Sequence, residues 1–314
     1  MTVKLSVVST LFHSSAYIDE FHRRAGEAAH LFAGDDYEII LVNDGSPDDS
    51  LGKAIRLSEQ DPHLTVVDLS RNFGHHRAIV TGLSYSNGDF VFLIDSDLEE
   101  QPEWLSNFSR QMEEEQCDVV YGIQKKRKGG LFERWSGRLF YFIFNTLSGL
   151  KMPKSWVTAR LMTRRYVNAL LLHQERELSI GGLYLLAGFE QRPHAITKLD
   201  TSETTYTFRR KFANFINEIS SLSDKPLVAI FYSGLIILIT ATLYTSFIVF
   251  KWLFLATPPS GWTSVMASIW LLGGLMISFI GIIGIYLSKI FLESKQRPVT
   301  IVRQVYSEKK EPQL

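Results

Sequence analysis

The sequence predicts an α/β domain with a mostly parallel sheet, followed by a hairpin of two transmembrane helices. Three observations predict this architecture. Apolar runs of strand length alternate with helically patterned segments through the first part of the chain. Acidic residues directly follow two of those runs. Near the end, the segment from Pro226 to Ser288 carries a single charge, Lys251.

Each strand is predicted from an apolar run. The runs are Leu5–Val8, Tyr37–Val42, Leu64–Leu69, Phe90–Ile94 and Val119–Tyr121. Segments with helical periodicity separate them, at about 17–24, 48–60, 75–87 and 102–116. This alternation favours a parallel sheet with helices on both faces, and we assign the domain to residues 1–207.

The overall composition excludes several classes of protein. The 314 residues carry 33 basic and 33 acidic side chains, so the formal net charge is zero. A balanced composition that is 46% hydrophobic is typical neither of a nucleic-acid-binding protein nor of a disordered polyelectrolyte. A single cysteine, Cys117, excludes a disulfide framework and a cysteine-based zinc site.

Two uncharged runs predict the transmembrane helices of the hairpin, which we place at 226–288. They extend from Leu227 to Phe250 and from Val265 to Ser288. Each is longer than the ~20 residues that cross a bilayer core. The alternative, a pair of buried core helices, would require a large surrounding domain.

The residues around the two runs predict their orientation. Trp252 and Trp262 lie in the short connection, where an aromatic interface belt is expected. Basic residues flank the outer ends of the hairpin: Arg209, Arg210, Lys211, Lys225, Lys289, Lys295, Arg297, Arg303, Lys309 and Lys310. The positive-inside rule then puts both termini in the cytoplasm, with a juxtamembrane amphipathic helix at 208–225 and a cytoplasmic tail at 289–314.

Two strand ends carry acidic residues that are candidates for a binding site. Asp44, Gly45 and Ser46 follow the second strand, and Asp95 and Asp97 follow the fourth. In such sheets ligands bind at the carboxyl ends of the strands. Carboxylates at alternate positions could hold a hard divalent cation against a diphosphate, and Asp44 could accept hydrogen bonds from a ribose or base. Each motif alone is common, since an Asx-Gly pair often only marks a turn.

Several motifs together resemble one family, the membrane-anchored family 2 glycosyltransferases of the polyprenyl-phosphate type, such as bactoprenol glucosyltransferases and dolichol-phosphate mannose synthases. The motifs are Val42–Ser46, Ser70–His76, Asp95–Glu103, Val119–Gly122, Arg160–Arg164, Thr204–Thr207, Ser223–Leu227 and Gly284–Val302. The resemblance covers nearly the whole chain. It implies a GT-A fold, a nucleotide-sugar donor, Mg²⁺ or Mn²⁺, and inverting transfer of a single sugar to a polyprenyl phosphate of the undecaprenyl type.

The resemblance also implies where the protein acts. It implies a multi-pass protein of the bacterial inner membrane whose catalytic domain lies at the cytoplasmic face. Its product would serve cell-surface glycan or O-antigen modification. The implied partners are the nucleotide sugar, the lipid phosphate and the membrane, without nucleic acid, and a homo-oligomer is left open.

The candidate site residues form four groups on this basis. The donor nucleotide is assigned to Asp44, Gly45, Ser46, Arg71, Asn72 and Asp95. The metal is assigned to Asp97 and Asp95, and catalysis to Asp95, Asp97, Arg160 and Arg164. The acceptor phosphate is assigned to Lys125, Arg127, Ser136 and Arg138. A phosphate monoester, with a second pKa near ~6, is already an anionic nucleophile, so cations that bring two phosphates together matter more than a general base.

The sequence departs from the family at three places. Thr158 stands where many members have an acidic residue discussed as the catalytic base. Segment 99–101 and segment 9–13 also differ from the usual pattern. Thr158 and segment 99–101 keep a second hypothesis open, a catalytically degenerate membrane module that binds a nucleotide sugar or a partner. A processive polysaccharide synthase is disfavoured, because the sequence contains no Gln-x-x-Arg-Trp motif.

Overall fold

The computed structural model describes residues 3–124, 153, 155–173, 175, 180–198, 225–255 and 261–307. The described residues form two compact units. The first contains residues 3–124, 153, 155–173, 175, 180–198 and 297–307, and the second contains 225–255 and 261–296. Each unit is described by itself.

The first unit is built on a sheet of eight strands within the described ranges. The strands are β1 (Leu5–Leu11), β2 (Tyr37–Asn43), β3 (Leu64–Leu69), β4 (Phe90–Leu93), β5 (Val119–Gln124), β6 (Trp156–Thr163), β7 (Gln191–Ile196) and β8 (Val302–Tyr306). Their order is β7-β5-β6-β4-β1-β2-β3-β8. The pairs β1–β2, β1–β4, β2–β3 and β5–β7 are parallel, whereas β6 and β8 run antiparallel to their neighbours.

Helices cover both faces of this sheet. They are α1 (Ile18–Ala33), α2 (Ser50–Ser58), α3 (His75–Tyr85), α4 (Trp104–Glu115), α5 (Arg164–Leu171) and α6 (Ile180–Leu186). Buried side chains of α1, α2 and α4 belong to one apolar cluster, and those of α3, α5 and α6 belong to a second one. The predicted fold class, a mostly parallel α/β sheet, is therefore confirmed.

Alternation along the central strands explains why both faces are covered. On β2, Ile39 and Leu41 belong to the first cluster, whereas Ile40 and Val42 belong to the second. All four side chains are at most 1% exposed. A strand buried on both sides reads as a continuous apolar run, which is why the sequence predicts this strand so clearly.

The strand β8 is not predicted by the sequence analysis, which assigns 289–314 to a tail. It pairs antiparallel with β3, and Val67 lies opposite Val305. Just before β8, the carbonyl of Ile301 accepts a hydrogen bond from the amide of Ser70 at 2.9 Å. The segment that follows the last apolar helix thus completes the edge of the sheet next to β3.

The second unit contains two long helices, α7 (Lys225–Leu255) and α8 (Trp262–Ser294). Both predicted apolar runs are therefore helical. Among the described side chains, one stretch, Leu272–Ser294, is long and apolar enough to cross a bilayer by length and composition. Apolar side chains on both helices are exposed, including Phe254 at 71% and Ile277 at 72%.

Candidate active site

The described part of the sheet gathers polar side chains at one edge. Strands β1, β2, β3, β4, β5 and β7 end there, and the antiparallel strands β6 and β8 begin there. Two loops at this edge, 44–48 after β2 and 70–74 after β3, are called the paired loops. Asp95, Asp97, Glu99 and Glu100, which follow β4, are called the acidic cluster.

Asp44 joins the paired loops to each other. Its Oδ1 accepts a hydrogen bond from the amide of Phe73 at 2.7 Å, and its Oδ2 accepts one from the amide of Gly74 at 3.0 Å. Burial raises the pKa of Asp44, and these two amide hydrogen bonds act against that rise. The sequence suggested Asp44 as an acceptor for a ribose or base. In the structure its carboxylate holds the backbone at the start of α3.

Gly45 lets the two loops touch. Its φ is +61°, a conformation that favours glycine. A Cβ at this position would lie 2.5 Å from the amide nitrogen of Asn72 and 2.6 Å from the carbonyl carbon of Arg71. No other residue type fits this contact without moving one loop.

The remaining donor candidates lie around this contact. The hydroxyl of Ser46 donates to Oδ1 of Asp48 at 2.6 Å and accepts from the amide of His13 at 2.8 Å. Arg71 and Asn72 are exposed, and the Arg71 guanidinium lies 4.1 Å from the ring centroid of Phe73. The structure therefore brings Asp44, Gly45, Ser46, Arg71 and Asn72 together in one surface.

Asp95 and Asp97 lie next to this surface at the end of β4. Nε2 of His75, the first residue of α3, is 3.7 Å from Oδ1 of Asp95. Burial lowers the pKa of His75, which favours a neutral imidazole, although Asp44 and Asp97 oppose this. Burial also raises the pKa of Asp95, a hydrogen bond from the Thr158 side chain lowers it, and the charge of Asp97 raises it further.

Glu100 is a completely buried member of the acidic cluster. Its two carboxylate oxygens accept hydrogen bonds from the amides of Thr158 at 3.1 Å and Asp95 at 3.4 Å. Burial and the nearby charge of Asp95 raise the pKa of Glu100. This residue ties β4 to β6, and the sequence analysis noted it only as a departure from the family pattern.

Lys198 is a cation of the site that the sequence analysis missed. Its Nζ lies 3.3 Å from Oε1 of Glu100 and 3.5 Å from Oε2 of Glu99. Burial alone would lower the pKa of Lys198, but Glu100, Asp95 and Asp97 raise it overall. The residue follows β7, far along the chain from the acidic cluster, and no local motif marks it.

Arg160 is a buried cation on the same face as Asp95. It lies opposite Leu93 in the β4–β6 pair and is 2% exposed. Nε and Nη2 donate to the carbonyls of Thr158 and Val157, and the guanidinium lies 3.4 Å from the ring centroid of Tyr184. Its Nη1 makes no hydrogen bond within the part of the chain that the structure describes.

Arg164, the other arginine assigned to catalysis, is not brought to the acidic cluster. It begins α5 at the opposite end of β6, and four residues along a strand span about 13 Å. Nε and Nη2 donate to the carbonyl of Gly88, and Nη1 donates to the hydroxyl of Ser86. The acceptor candidates Lys125, Arg127, Ser136 and Arg138 lie outside the described residues.

The donor atoms at the edge suit a divalent cation whose shell a substrate completes. Among the described residues there is no group of three or more His, Cys, Asp or Glu side chains placed to hold a metal. Mg²⁺ at nucleotide sites typically takes one or two carboxylates and fills its shell with phosphates and waters. Asp95 and Asp97 carry hard oxygen atoms of the kind that such a site uses.

Comparison with known proteins identifies the family. The family described as glycosyl transferase family 2 matches residues 6–171, which is more than half of the chain. The chain belongs to this family. The enzyme is therefore a glycosyltransferase, and the predicted resemblance is confirmed.

Two relatives are similar over almost the whole chain. Putative glycosyltransferases of Mycobacterium tuberculosis (strain CDC 1551) are 45% identical over 304 residues, which cover 97% of this chain and 89% of the relative. A bactoprenol glucosyl transferase of Shigella phage SfV is 28% identical, covering 96% of this chain and 98% of the relative. Among solved structures, glucosyl-3-phosphoglycerate synthase of Mycobacterium tuberculosis with Mn²⁺ and UDP-glucose is 19% identical, with a TM-score of 0.47, covering 70% of this chain and 77% of that one.

Proposed function

We propose that this glycosyltransferase moves a single sugar from a nucleotide-sugar donor to a polyprenyl phosphate, with inversion and with Mg²⁺ or Mn²⁺. The observation that carries the proposal is Arg160. A buried guanidinium is costly unless it is paired, and one of its nitrogens has no protein hydrogen bond within the described ranges. Phosphate matches a guanidinium in charge and shape. Arg160 therefore fits a site for a phosphate group of the donor or the acceptor.

A lipid acceptor is supported by two further observations. The bactoprenol glucosyl transferase of phage SfV aligns with the chain from end to end. The chain also has a helical stretch, Leu272–Ser294, suited to a bilayer, and its apolar side chains are exposed. Large exposed apolar surfaces mark membrane or protein contacts. A lipid phosphate combines a phosphate group, which suits Arg160, with an apolar chain, which suits a protein that has an exposed apolar helix.

The acidic cluster would assist the departure of the nucleoside diphosphate, which is the leaving group of the reaction. A divalent cation bound there would supply Lewis-acid stabilisation of the leaving phosphates. Asp95 and Asp97 would hold it, and the hydrogen bond from Thr158 and the charge of Lys198 would keep Asp95 in place. The paired loops would bind the nucleoside, with Gly45 allowing close approach.

The nucleophile would need little help from a base. A phosphate monoester carries at least one negative charge at neutral pH, so its oxygen can attack the anomeric carbon directly. Attack on the face opposite the leaving diphosphate inverts the anomeric centre. Position 158 lies beside Asp95, and its hydroxyl donates a hydrogen bond where a carboxylate would add repulsion. Thr158 is thus compatible with transfer to phosphate.

We further propose that both α7 and α8 cross the membrane, with both termini in the cytoplasm. The sequence supports this through the two uncharged runs and the basic residues outside them. In this arrangement residues 1–207 form the catalytic domain and 208–225 a juxtamembrane helix. The proposal is a multi-pass protein of the bacterial inner membrane that serves cell-surface glycan modification.

The proposal is tested by following sugar into lipid. Membranes that contain the protein are incubated with polyprenyl phosphate and with radiolabelled UDP-glucose or another common nucleotide sugar, and label in the organic extract is measured. We expect Asp97→Asn to lower transfer at least about 100-fold, since metal stabilisation of the leaving group contributes several kcal/mol. Asp35→Asn is the control, because that side chain is 86% exposed.

Each other outcome contradicts a stated part of the proposal. If no donor labels the lipid fraction, the catalytically degenerate module is the better description. If long glycan chains are labelled instead, the enzyme is a processive synthase. If Asp97→Asn transfers sugar as well as the wild type does, the metal assignment is wrong.

A further inference from the structure

We propose that Arg303, on β8, is a positioning residue that holds the paired loops in the geometry required to bind the donor. It lies beyond the last apolar helix, outside every motif that suggested a site. The inference rests on the proposed function in one respect, the assignment of the paired loops to the nucleotide. Its structural part, control of loop geometry by β8, stands independently.

Arg303 makes two contacts with β3 and the loop that follows it. Nη1 donates to Oδ2 of Asp68 at 3.1 Å, and Nη2 donates to the carbonyl of Ser70 at 2.7 Å. The Asp68 side chain is 1% exposed, whereas that of Arg303 is 57% exposed. A buried carboxylate needs a cation and hydrogen bonds, and Arg303 supplies both from the edge of the sheet.

Asp68 extends this contact to the other loop. Its Oδ1 accepts a hydrogen bond from Nδ2 of Asn43 at 2.8 Å. The Oδ1 of Asn43 in turn accepts one from the amide of Ser46 at 3.2 Å. Three hydrogen bonds through two buried side chains, those of Asp68 and Asn43, therefore connect Arg303 to the backbone of loop 44–48.

The second contact acts on loop 70–74 directly. The Ser70 residue is held from both sides, since its amide donates to the carbonyl of Ile301 and its carbonyl accepts from Arg303. The two loops meet at Gly45, where no Cβ would fit. A shift of either loop would therefore disturb the other.

The hydrogen bonds that start from Arg303 end on backbone atoms of the paired loops rather than in the apolar core. Leu69 and Val67, the core residues of β3 nearest to it, are fully buried and belong to the second apolar cluster. Loss of Arg303 should therefore increase local opening of the paired loops more than that of the sheet. Because β8 follows α8 in the chain, donor binding would depend on a segment that lies beyond the two apolar helices in the sequence.

The test uses the full-length protein in detergent with three variants, Arg303→Gln, Arg303→Lys and Gln304→Ala. Gln304 is the matched control, an exposed neighbour on the same strand. Hydrogen exchange is measured on peptides covering 43–48, 70–75 and 119–124, and UDP binding is measured by calorimetry. Transfer from UDP-glucose gives KM and kcat.

For Arg303→Gln we expect exchange about fivefold faster in both loop peptides and unchanged in 119–124, as for a local opening. UDP affinity should fall about tenfold and the donor KM should rise equally, with kcat within about twofold, since a charged hydrogen bond is lost. Arg303→Lys should recover part of the loss through the contact with Asp68. Gln304→Ala should match the wild type.

Three results would overturn the inference. Unchanged exchange in both loops would remove the positioning role. Faster exchange across the whole sheet, with a lower Tm, would mean that Arg303 only stabilises the fold. If the loops loosen locally while UDP affinity stays constant, the link between these loops and the donor is wrong. The lipid-labelling assay would then still test sugar transfer itself.

Discussion

The paired loops and the acidic cluster lie at the same edge of the sheet, yet their carboxylates are stabilised to different extents by the surrounding protein. In the loops, Asp44 binds two amides, and on the adjoining strand β3 Asp68 binds Asn43 and Arg303. Burial opposes ionisation of Asp48, but hydrogen bonds from Ser46, Ser50 and Ser15 hold its pKa below the usual value. Asp44 and Asp48 accept hydrogen bonds from backbone amides, and Asp68 binds two side chains that themselves contact the loops.

The acidic cluster leaves its charges less well balanced. Burial raises the pKa of Asp95 and of Glu100, and Lys198 is the one cation that the described residues pair with the cluster. Nearby, Arg160 keeps a nitrogen without a hydrogen bond inside the described ranges. The carboxylates of the loops are satisfied within the protein, whereas the less balanced charges of the cluster fit the charged ligand that we propose for it.

Replacing Arg160 should give the largest effect, because it removes the group that the protein leaves unsatisfied. We expect Arg160→Met to lower transfer on the order of 100-fold, since hydrogen bonds to charged groups contribute ~1.5–3 kcal/mol. The Tm should fall by less than for Arg164→Met, because the variant loses two hydrogen bonds to carbonyls but also removes a buried charge that the described residues leave partly unsatisfied. Thermal unfolding and the lipid-labelling assay measure the two effects separately.

Arg164 provides the matched comparison for this variant. Its guanidinium already binds the Gly88 carbonyl and the Ser86 hydroxyl, so Arg164→Met should lower the Tm while the folded enzyme keeps its activity. A lower Tm for Arg160→Met with normal transfer would show that Arg160 only supports the fold. The contrast between the paired loops and the acidic cluster would then no longer be supported.

Asp44→Asn should give the next largest effect and tests the opposite side of the comparison. The amide group of asparagine can accept only one of the two hydrogen bonds from Phe73 and Gly74, so the paired loops should separate. We expect the donor KM to rise about tenfold and stability to fall by ~1–3 kcal/mol, the cost of an unsatisfied buried group. Initial rates over a range of donor concentrations, together with urea unfolding, measure both.

An effect on kcat rather than on the donor KM would contradict this role of Asp44. If kcat falls while the KM and the unfolding curve stay constant, the carboxylate touches the reacting groups. Asp44 would then belong with Asp95 rather than with the loop backbone.

The sequence analysis predicts β1 to β5 and does not predict β6, β7 and β8. β1 to β4 are buried on both faces, so their apolar runs stand out. β7 and β8 are edge strands that contain exposed polar residues, such as Arg192 and Gln304. Their pairing is fixed by partners far along the chain, which local patterns do not record.

The site divides in the same way. Asp44 and Asp95 are predicted because they directly follow clear strands, and that placement is visible in the sequence. Lys198 and Arg303 are not predicted, because each reaches the edge from an irregular or half-exposed segment. The motif Arg160–Arg164 groups Arg164 with Arg160 as a candidate cation, although Arg164 lies beyond the far end of the strand that carries Arg160.

Thr158→Asp should give the smallest effect of these substitutions, and it tests the acidic cluster rather than the paired loops. The threonine hydroxyl donates to Asp95, whereas an aspartate there would add a third carboxylate beside Asp95 and Glu100. Because a phosphate acceptor is already ionised, the added carboxylate should change the rate by less than about tenfold in either direction. Thr158→Val, which removes only the hydroxyl, gives the baseline in the lipid-labelling assay. An inactive wild type that gains activity through Thr158→Asp would show that a base is required, and the anionic-nucleophile mechanism would have to be abandoned.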